Sequence, residues 1–202
     1  MTALRREKRA MGNLYIGLLH FPIKNRRGEI VATALTSMDV HDIARTSHTY
    51  GVATYFVVTP LPSQQDIAWK IVGFWTEGEQ AANHSRRGEA LAIIRVAVDL
   101  DETVQIISEA EGKKPLLVST SARTSDTGCS KHIPYDQLTE KILKSHLPIY
   151  ILFGTGWGMS EELIATCDFL LPPIRPDALF NHLSVRSAVA ITLDRLIGDH
   201  TQ

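Results

Sequence analysis

Short, continuous apolar runs alternate with helix-forming segments along most of this chain. Runs such as TYFVVTP (54–60) and IYILF (149–153) lack alternating polar positions, which is typical of strands buried on both faces of a parallel sheet. The segments between them carry helix signals, such as Ser37 before an apolar periodicity and Gly51 after it. This alternation predicts an α/β fold in one domain, with a mainly parallel sheet flanked by helices.

The remaining elements follow the same pattern. Strands are expected at 14–20, 29–35, 54–60, 115–120, 149–153 and 169–173, with a further apolar run at 90–98. Helices are expected at 37–51, 64–75, 101–111, 134–145, 160–166 and 183–198. In the first helix, Ser37 is the expected N-cap, and the expected apolar positions are Met38, Val40, Ile43 and Ala44.

The charge balance argues against a polycation that coats nucleic acid. The 202 residues carry 21 Lys+Arg and 22 Asp+Glu, a formal net charge of -1, whereas such polycations have a basic excess. Residues 1–27 contain seven Lys/Arg and one acid, which makes this segment +6 and the remainder -7. The tail within it, residues 1–11, is expected to be either a solvated, disordered extension or a phosphate-facing patch. Any nucleic acid binding must therefore be local.

Cysteine usage and hydropathy indicate the compartment. Cys129 and Cys167 belong to no Cys-x-x-Cys pair or His/Cys cluster, so we expect neither a disulfide framework nor a metal site. The first residues lack the apolar region of a signal peptide, and no stretch of about 18 apolar residues occurs. We expect a cytoplasmic protein without a membrane segment.

The most informative motif is FGTGWGMSEE, residues 153–162. Here a strand leads into the alternate glycines Gly154, Gly156 and Gly158, and then into a helix with Ser160 as the expected N-cap. Glycines allow a sharp turn and let a ligand approach main-chain groups. A tight strand-to-helix turn would give the same pattern. So would a dinucleotide-binding loop with Asp177 downstream, although too little chain follows for that fold.

Three other segments place the glycine loop in a wider pattern. They are VATALTSMDVHDIARTSHTYGVATYFVVTP (31–60), PLLVSTSAR (115–123), and LPPI (171–174) followed by NHLSVRSAVAITLDRL (181–196). Together these segments resemble the SPOUT RNA methyltransferases, which use S-adenosylmethionine. They are most similar to a small bacterial stand-alone branch that is tRNA (guanine-N1)-methyltransferase-like. The resemblance covers roughly residues 12–198.

The resemblance implies a fold and a cofactor. The domain would span residues 12–202, with about 115–198 threaded as a deep trefoil knot, although chains rarely pass through their own loops. S-adenosylmethionine would be held by three loops. By position, the residues that would bind it are Ser119, Thr120, Ser121, Phe153, Gly154, Thr155, Gly156, Gly158, Ile174, Asn181, Leu183, Ser184 and Ser187. For Ser184 and Ser187, helix capping and small-residue packing are the alternative roles.

The resemblance also implies the reaction, methyl transfer to guanine N1 or a ribose 2′-hydroxyl of tRNA or rRNA. Such an enzyme must align the nucleophile with the methyl group and remove a proton from it. Arg45 matches an arginine near the acceptor in the ribose-methylating branch, and Asp177 is the available carboxylate base for the guanine branch. Alternatively, Arg45 is an exposed residue paired with Asp42 or another acid. The loop GTGWG lacks the glutamate usual in the ribose branch, which leaves both acceptors open.

RNA contacts are expected from guanidinium groups, which pair with phosphates and stack on unpaired bases. Together with one histidine, the candidates are Arg26, Arg27, Arg86, Arg87, Arg123, His182 and Arg186. Each arginine could instead be a solvated surface charge, and His182 a buried cap.

The last helix is apolar over a broad arc, which favours either an intramolecular core position or a partner contact. The resemblance implies that this helix forms the interface of a homodimer. Two alternative functions stay open, a non-catalytic cofactor-binding regulator on the same fold and a nucleotide-dependent oxidoreductase.

Overall fold

The chain forms eight strands and seven helices in the residues that the computed structural model describes, which are 13–77, 86–123, 131–175, 177 and 180–199. The strands are β1 Leu14–Leu19, β2 Ile23–Lys24, β3 Ile30–Val31, β4 Thr54–Val58, β5 Ile94–Ala97, β6 Leu116–Thr120, β7 Ile149–Gly154 and β8 Phe169–Leu171. The helices are α1 Ser37–Thr49, α2 Pro62–Thr76, α3 Arg86–Leu91, α4 Leu100–Glu111, α5 Tyr135–Lys144, α6 Glu161–Ala165 and α7 Val185–Ile197.

A six-stranded sheet organises the molecule. Its strand order is β5-β4-β1-β7-β6-β8, and every neighbouring pair is parallel. The central strand β1 is in register with both neighbours, so that Leu19 lies beside Val58 on one side and beside Gly154 on the other. The carboxyl ends of these strands therefore meet at one edge. The predicted α/β fold with a mainly parallel sheet flanked by helices is confirmed.

Buried side chains cover both faces of the sheet. One face packs against α1, α2, α3, α5 and α7 through residues such as Ile43 and Leu193, and the other against α4 and α6 through residues such as Ile107 and Ile164. Burial on both faces explains why the strand sequences are continuously apolar rather than alternating.

The first helix begins one residue earlier than expected. Its N-cap is Thr36, whose hydroxyl oxygen accepts a hydrogen bond from the Asp39 backbone N–H at 3.2 Å, so the prediction of Ser37 was wrong. The prediction for Met38 was also wrong, because its side chain is 58% exposed. The helical turn that buries Val40, Ile43 and Ala44, as predicted, points position 38 toward solvent.

The segment predicted as a strand at 29–35 forms only the short strand β3. Ile30 and Val31 pair antiparallel with β2, and the connecting turn is closed by the Asn25 side chain, whose carbonyl oxygen accepts from the Arg27 and Glu29 backbone N–H groups. Beyond it, the Thr33 N–H donates to the His20 carbonyl at 2.9 Å. The chain thus crosses the end of β1 instead of extending a strand.

The apolar run at 90–98 is not a single element. It is divided between the end of α3 and strand β5, since the Ala92 N–H hydrogen-bonds back to the Gly88 carbonyl as the helix ends.

The basic tail, residues 1–11, and Cys129 lie outside the described residues. Within the described part of the chain, no helix is long and apolar enough to cross a membrane.

Candidate functional site

The candidate site lies at the carboxyl edge of the sheet, beside β1 and β7. From β1 the chain builds outward through β4 and β5 on one side, while β7, β6 and β8 lie on the other. Ligands of open parallel sheets bind outside the carboxyl ends of strands at such a reversal of strand order. Three loops reach this edge or lie beside it: residues 120–123 after β6, residues 154–158 after β7, and residues 180–184 before α7.

The glycine loop, residues 154–158, is clamped by the chain that follows β1. The Trp157 N–H donates to the Lys24 carbonyl at 3.1 Å, and the Lys24 N–H donates to the Gly158 carbonyl at 2.9 Å. The Thr155 hydroxyl lies 3.2 Å from the Leu19 carbonyl and 2.5 Å from the Thr33 hydroxyl. These contacts fix one side of the loop against the protein.

Each glycine of this loop is required for its own reason. At Gly154 a Cβ atom would lie 2.7 Å from Met159 Cγ and 2.9 Å from the Met159 nitrogen, which is too close for any side chain. Gly156 has φ +54, and its Cβ would lie 3.1 Å from Ile23 Cγ2. Gly158 has φ +96, and nothing lies within 4 Å of its Cβ position. The space beside Gly158 is therefore open to a ligand.

The loop after β6 is held by hydrogen bonds within the sheet. The buried Ser119 hydroxyl donates to the Phe169 carbonyl at 3.1 Å, and the Thr120 hydroxyl donates to the Leu152 carbonyl at 2.9 Å. The Ser121 hydroxyl oxygen accepts from the Arg123 N–H at 3.0 Å. Ser119 and Thr120 thus use their hydroxyls to tie neighbouring strands together.

Two side chains join the three loops to one another. The Arg123 guanidinium donates to the Trp157 carbonyl at 2.7 Å, linking the first loop to the glycine loop. The Asn181 side-chain amide donates to the Ala122 carbonyl at 2.8 Å, linking the first loop to the third. These two hydrogen bonds thus join the three loops that carry most of the sequence-predicted cofactor residues. Ile174 is half-buried, and the cofactor roles of all these residues stay predictions.

The third loop ends at a capped helix. The Ser184 hydroxyl oxygen accepts from the Ser187 N–H at 3.3 Å, and the two hydroxyls lie 3.0 Å apart. This is the capping role that the sequence left open for both serines. Their exposed hydroxyls still face solvent at the start of α7.

A buried histidine lies at the end of β1, below the glycine loop. His20 is fully buried, its Nδ1 lies 2.9 Å from the Thr33 hydroxyl, and its Nε2 has no hydrogen-bond partner. Burial lowers the pKa of His20 to about 4, against the opposing effect of the Asp39 charge and the Thr33 hydrogen bond. The imidazole is therefore neutral at physiological pH.

An ion pair connects α7 to α1 beside this histidine. The Arg186 guanidinium lies 2.8 Å from one Asp39 carboxylate oxygen and 3.4 Å from an Asp42 oxygen. The Thr36 hydroxyl also donates to Asp39, at 2.6 Å. Because Arg186 is engaged in this pairing, its first observable role is to fix the last helix against the first.

The loop edge also carries an exposed ion pair. Lys24 Nζ lies 2.5 Å from a Glu161 carboxylate oxygen at the start of α6. This hydrogen bond and the Lys24 charge, with a smaller contribution from Arg123, lower the pKa of Glu161. The pair adds a second link between the chain after β1 and the chain after the glycine loop.

The chain as a whole matches a known family. Residues 13–198 match a family described as SAM-dependent RNA methyltransferase. The chain belongs to this family. The predicted membership of a SAM-dependent RNA methyltransferase family is thereby confirmed.

The chain is also similar to individual proteins over most of its length. The chain is 39% identical over 186 residues to an uncharacterized protein of Aquifex aeolicus, covering 92% of this chain and 89% of the relative. It is 36% identical over 188 residues to a tRNA (guanine-N(1)-)-methyltransferase of Oleidesulfovibrio alaskensis, covering 93% of this chain. The chain spans only 42% of the length of that second relative.

A solved structure supports the fold. The SpoU methyltransferase AviRb of Streptomyces viridochromogenes, in complex with the cofactor AdoMet, superposes with a TM-score of 0.56. The identity is 13%, and the superposition covers 93% of this chain and 57% of AviRb. At this identity the similarity shows the α/β fold alone.

The three joined loops fit the family's cofactor, S-adenosylmethionine. A neutral adenine and a zwitterionic amino acid need main-chain hydrogen bonds and apolar walls more than charges. The space beside Gly158 allows a ligand to approach the main chain there, and Leu183 offers exposed apolar surface on the third loop. No group of three or more His, Cys, Asp or Glu residues that could hold a metal occurs among the described residues.

The predicted catalytic and RNA-binding residues lie on several different elements, and not all of them are at the glycine loop. Arg45, on α1, and Asp177 are exposed, and among the described ion pairs none involves Arg45. Arg26 and Arg27 are exposed in the β2–β3 turn, which adjoins the glycine loop. Arg86 and Arg87 lie on α3, which precedes the edge strand β5, and the Arg87 guanidinium stacks 4.6 Å above the Trp75 ring. These two are not brought to the glycine loop.

Some residues of the site were missed from the sequence. Trp157 and Phe180 are exposed at the loops, and His20 with Thr33 supports the glycine loop from below. A signal existed for Trp157, because a large apolar residue between two glycines has little to pack against. His20 carried none, since a single histidine at a strand end has no spacing pattern.

Proposed function

We propose that this chain transfers the methyl group of S-adenosylmethionine to guanine N1 or a ribose 2′-hydroxyl of tRNA or rRNA. The observation that carries the proposal is the joining of the three loops by Arg123 and Asn181 at the carboxyl edge of the sheet. Family membership supports the RNA methyltransferase activity, and the named tRNA relative supports tRNA as a substrate.

Main-chain groups of the glycine loop and the third loop would hold the cofactor. Bound S-adenosylmethionine supplies a methyl group on a positively charged sulfur. Gly156 and Gly158 hold left-handed main-chain conformations, which would leave main-chain groups on the solvent side of the loop accessible to the cofactor. Leu183 would shield the ligand from water, and Asn181 would keep the third loop closed over the first.

The chemical step requires a proton acceptor and an orienting cation. We assign Asp177 as the base that accepts the guanine N1 proton, since it is exposed in the stretch before the third loop. We assign Arg45 to the acceptor, where its guanidinium would hold a phosphate or a developing oxyanion. Both side chains are solvent-accessible, which a contact with RNA requires.

We further propose a knotted domain over residues 12–202 that works as a cytoplasmic homodimer. The resemblance of the sequence motifs to the SPOUT enzymes supports a trefoil knot over about 115–198. The dimer would use α7, where Ala188 and Ile191 remain half-exposed beside the fully packed Leu193. In such a dimer, Arg45 would reach the loops of the partner subunit.

Tritium transfer from labelled S-adenosylmethionine into total RNA tests the activity. We expect incorporation by the wild type and a loss of at least about 100-fold in Arg45→Ala and Asp177→Asn. Lys114→Ala is the matched control, because Lys114 is exposed at the opposite end of the sheet, just before β6. Absence of transfer by the wild type, with cofactor binding intact by calorimetry, would instead favour the regulator. Binding of NAD in place of S-adenosylmethionine would favour the oxidoreductase.

A further inference from the structure

Three aromatic rings form a row at the rim of the joined loops. The Trp157 and His182 ring centroids lie 6.5 Å apart at 62°, and those of Phe180 and His182 lie 5.4 Å apart at 75°. Trp157 is 49% exposed and Phe180 is 77% exposed. We call Trp157, His182 and Phe180 the ring row.

The exposure of Trp157 does not come from a loose backbone. Its N–H is bound to Lys24 and its carbonyl to Arg123, and both neighbouring glycines are in left-handed conformations. A large apolar ring held rigidly in water gives up the free energy of burial without a gain in conformational entropy. Exposed aromatic groups of this kind mark binding surfaces.

The surroundings of the ring row favour a nucleobase as its ligand. The Arg123 guanidinium is anchored on the Trp157 carbonyl, so a positive charge lies on the loop that carries the Trp157 ring. Rings next to a cation are the arrangement with which proteins hold unpaired bases, because the rings stack on the base and the cation attracts the phosphate. A buried adenine pocket would enclose most of its ligand, whereas these rings are open to solvent.

We propose that the ring row stacks an unpaired base of the RNA substrate next to the modified nucleotide. The proposal rests on the proposed function and adds to it a site for a neighbouring base. It assigns binding roles to Trp157 and Phe180, and gives His182 the position between them. Because every base has an aromatic face, this site would tolerate any sequence and would select unpaired over paired RNA.

The test compares two probes of equal charge on the full chain. One is an oligoadenylate RNA of about 12 nucleotides and the other is an abasic ribose-phosphate strand of the same length. We expect Trp157→Ala and Phe180→Ala to weaken oligoadenylate binding by about fivefold to 100-fold, without changing the affinity for the abasic strand. Trp157→Phe should retain most of the affinity. Trp69→Ala removes an equally exposed indole from α2, at 50% exposure, and should have no effect.

A fluorescence measurement checks that the base reaches Trp157 itself. The chain has three tryptophans, so the double variant Trp69→Phe and Trp75→Phe leaves Trp157 as the only indole. We expect the oligoadenylate to quench this emission and the abasic strand to leave it unchanged, because a stacked base lies on the ring face.

Calorimetry with S-adenosylhomocysteine shows whether the rings bind the adenine of the cofactor or a base of the RNA. If Trp157→Ala and Phe180→Ala lose affinity for S-adenosylhomocysteine as strongly as for the oligoadenylate, the rings belong to the cofactor pocket and the proposal is overturned. Equal oligoadenylate affinity in the wild type and both variants, including no binding by any of them, also overturns it. A wild type that methylates RNA while the variants bind normally would reject the ring row but leave the proposed function intact.

Discussion

Replacement of His20 should change how the stability of the protein depends on pH. In the folded chain, burial lowers the pKa of His20 from 6.5 to about 4. Unfolding restores the ordinary value, so between these two pH values the unfolded state binds a proton that the folded state does not. The free energy of unfolding therefore falls as the pH falls through this window, and it is fully retained above it.

The magnitude follows from the size of the shift. One pKa unit corresponds to about 1.4 kcal/mol, so protonation of His20 lowers the free energy of unfolding by about 3 kcal/mol below pH 4. About 2 kcal/mol of this decrease occurs between pH 7.5 and pH 5. Among the described residues, the charge that acts on His20 is that of Asp39 on α1, which is paired with Arg186 on α7. Neither changes the sign of the effect.

The assay is urea unfolding at several pH values with wild type and His20→Gln. Glutamine is neutral at every pH used and can still hydrogen-bond to Thr33. Between pH 7.5 and pH 5, we expect the free energy of unfolding to fall by about 2 kcal/mol more in the wild type than in the variant, whatever the contribution of the other titrating groups. Parallel curves for the two proteins over this interval would refute the reasoning. A histidine ring signal in NMR that titrates near pH 6.5 and is absent from His20→Gln would do the same.

Three further predictions follow from the site. Gly156→Ala should lower the unfolding free energy by about 1–2 kcal/mol and weaken S-adenosylmethionine binding in calorimetry, because φ +54 and a Cβ 3.1 Å from Ile23 both oppose a side chain. The control is Gly28→Ala, which has only the φ penalty and should leave cofactor binding unchanged. Arg186→Met should cost about 2 kcal/mol in chemical denaturation because it leaves the Asp39 carboxylate buried without its partner, and the additional change Asp39→Asn should recover part of that loss. RNA binding should weaken only modestly with salt, and Arg26→Ala or Arg27→Ala should each reduce the slope by about one phosphate contact in a filter-binding titration; a slope near zero for the wild type would remove RNA as the ligand.

Sheet and helices were predictable where local sequence determines them. The β7 strand, the glycine loop and the Ser160 cap were predicted together, and Ser160 does accept a hydrogen bond from the Leu163 N–H at 3.2 Å. Continuous apolar strands identified the parallel sheet because burial on both faces leaves no polar positions. These features depend on neighbours close in sequence.

Features that depend on distant packing were not predictable. The Arg186 and Asp39 pair joins residues 147 positions apart, and nothing near either residue indicates the other. Thr36 rather than Ser37 is the cap, although serine is the more favoured residue at this position, so residue preference alone did not predict it. The glycine loop was identified as a ligand loop, but its contacts with Lys24 and Thr33 required the folded chain.

The central position of β1 has a consequence for how the chain is made. During synthesis, β1 can pair with β4 once the chain has emerged as far as Val58, but its other neighbour, β7, begins only at Ile149. Until then the most buried strand of the protein presents an open apolar edge, which is the kind of edge that pairs with other chains. We therefore expect nascent chains that end before residue 149 to depend on a chaperone, whereas a chain that includes β7 closes this edge itself.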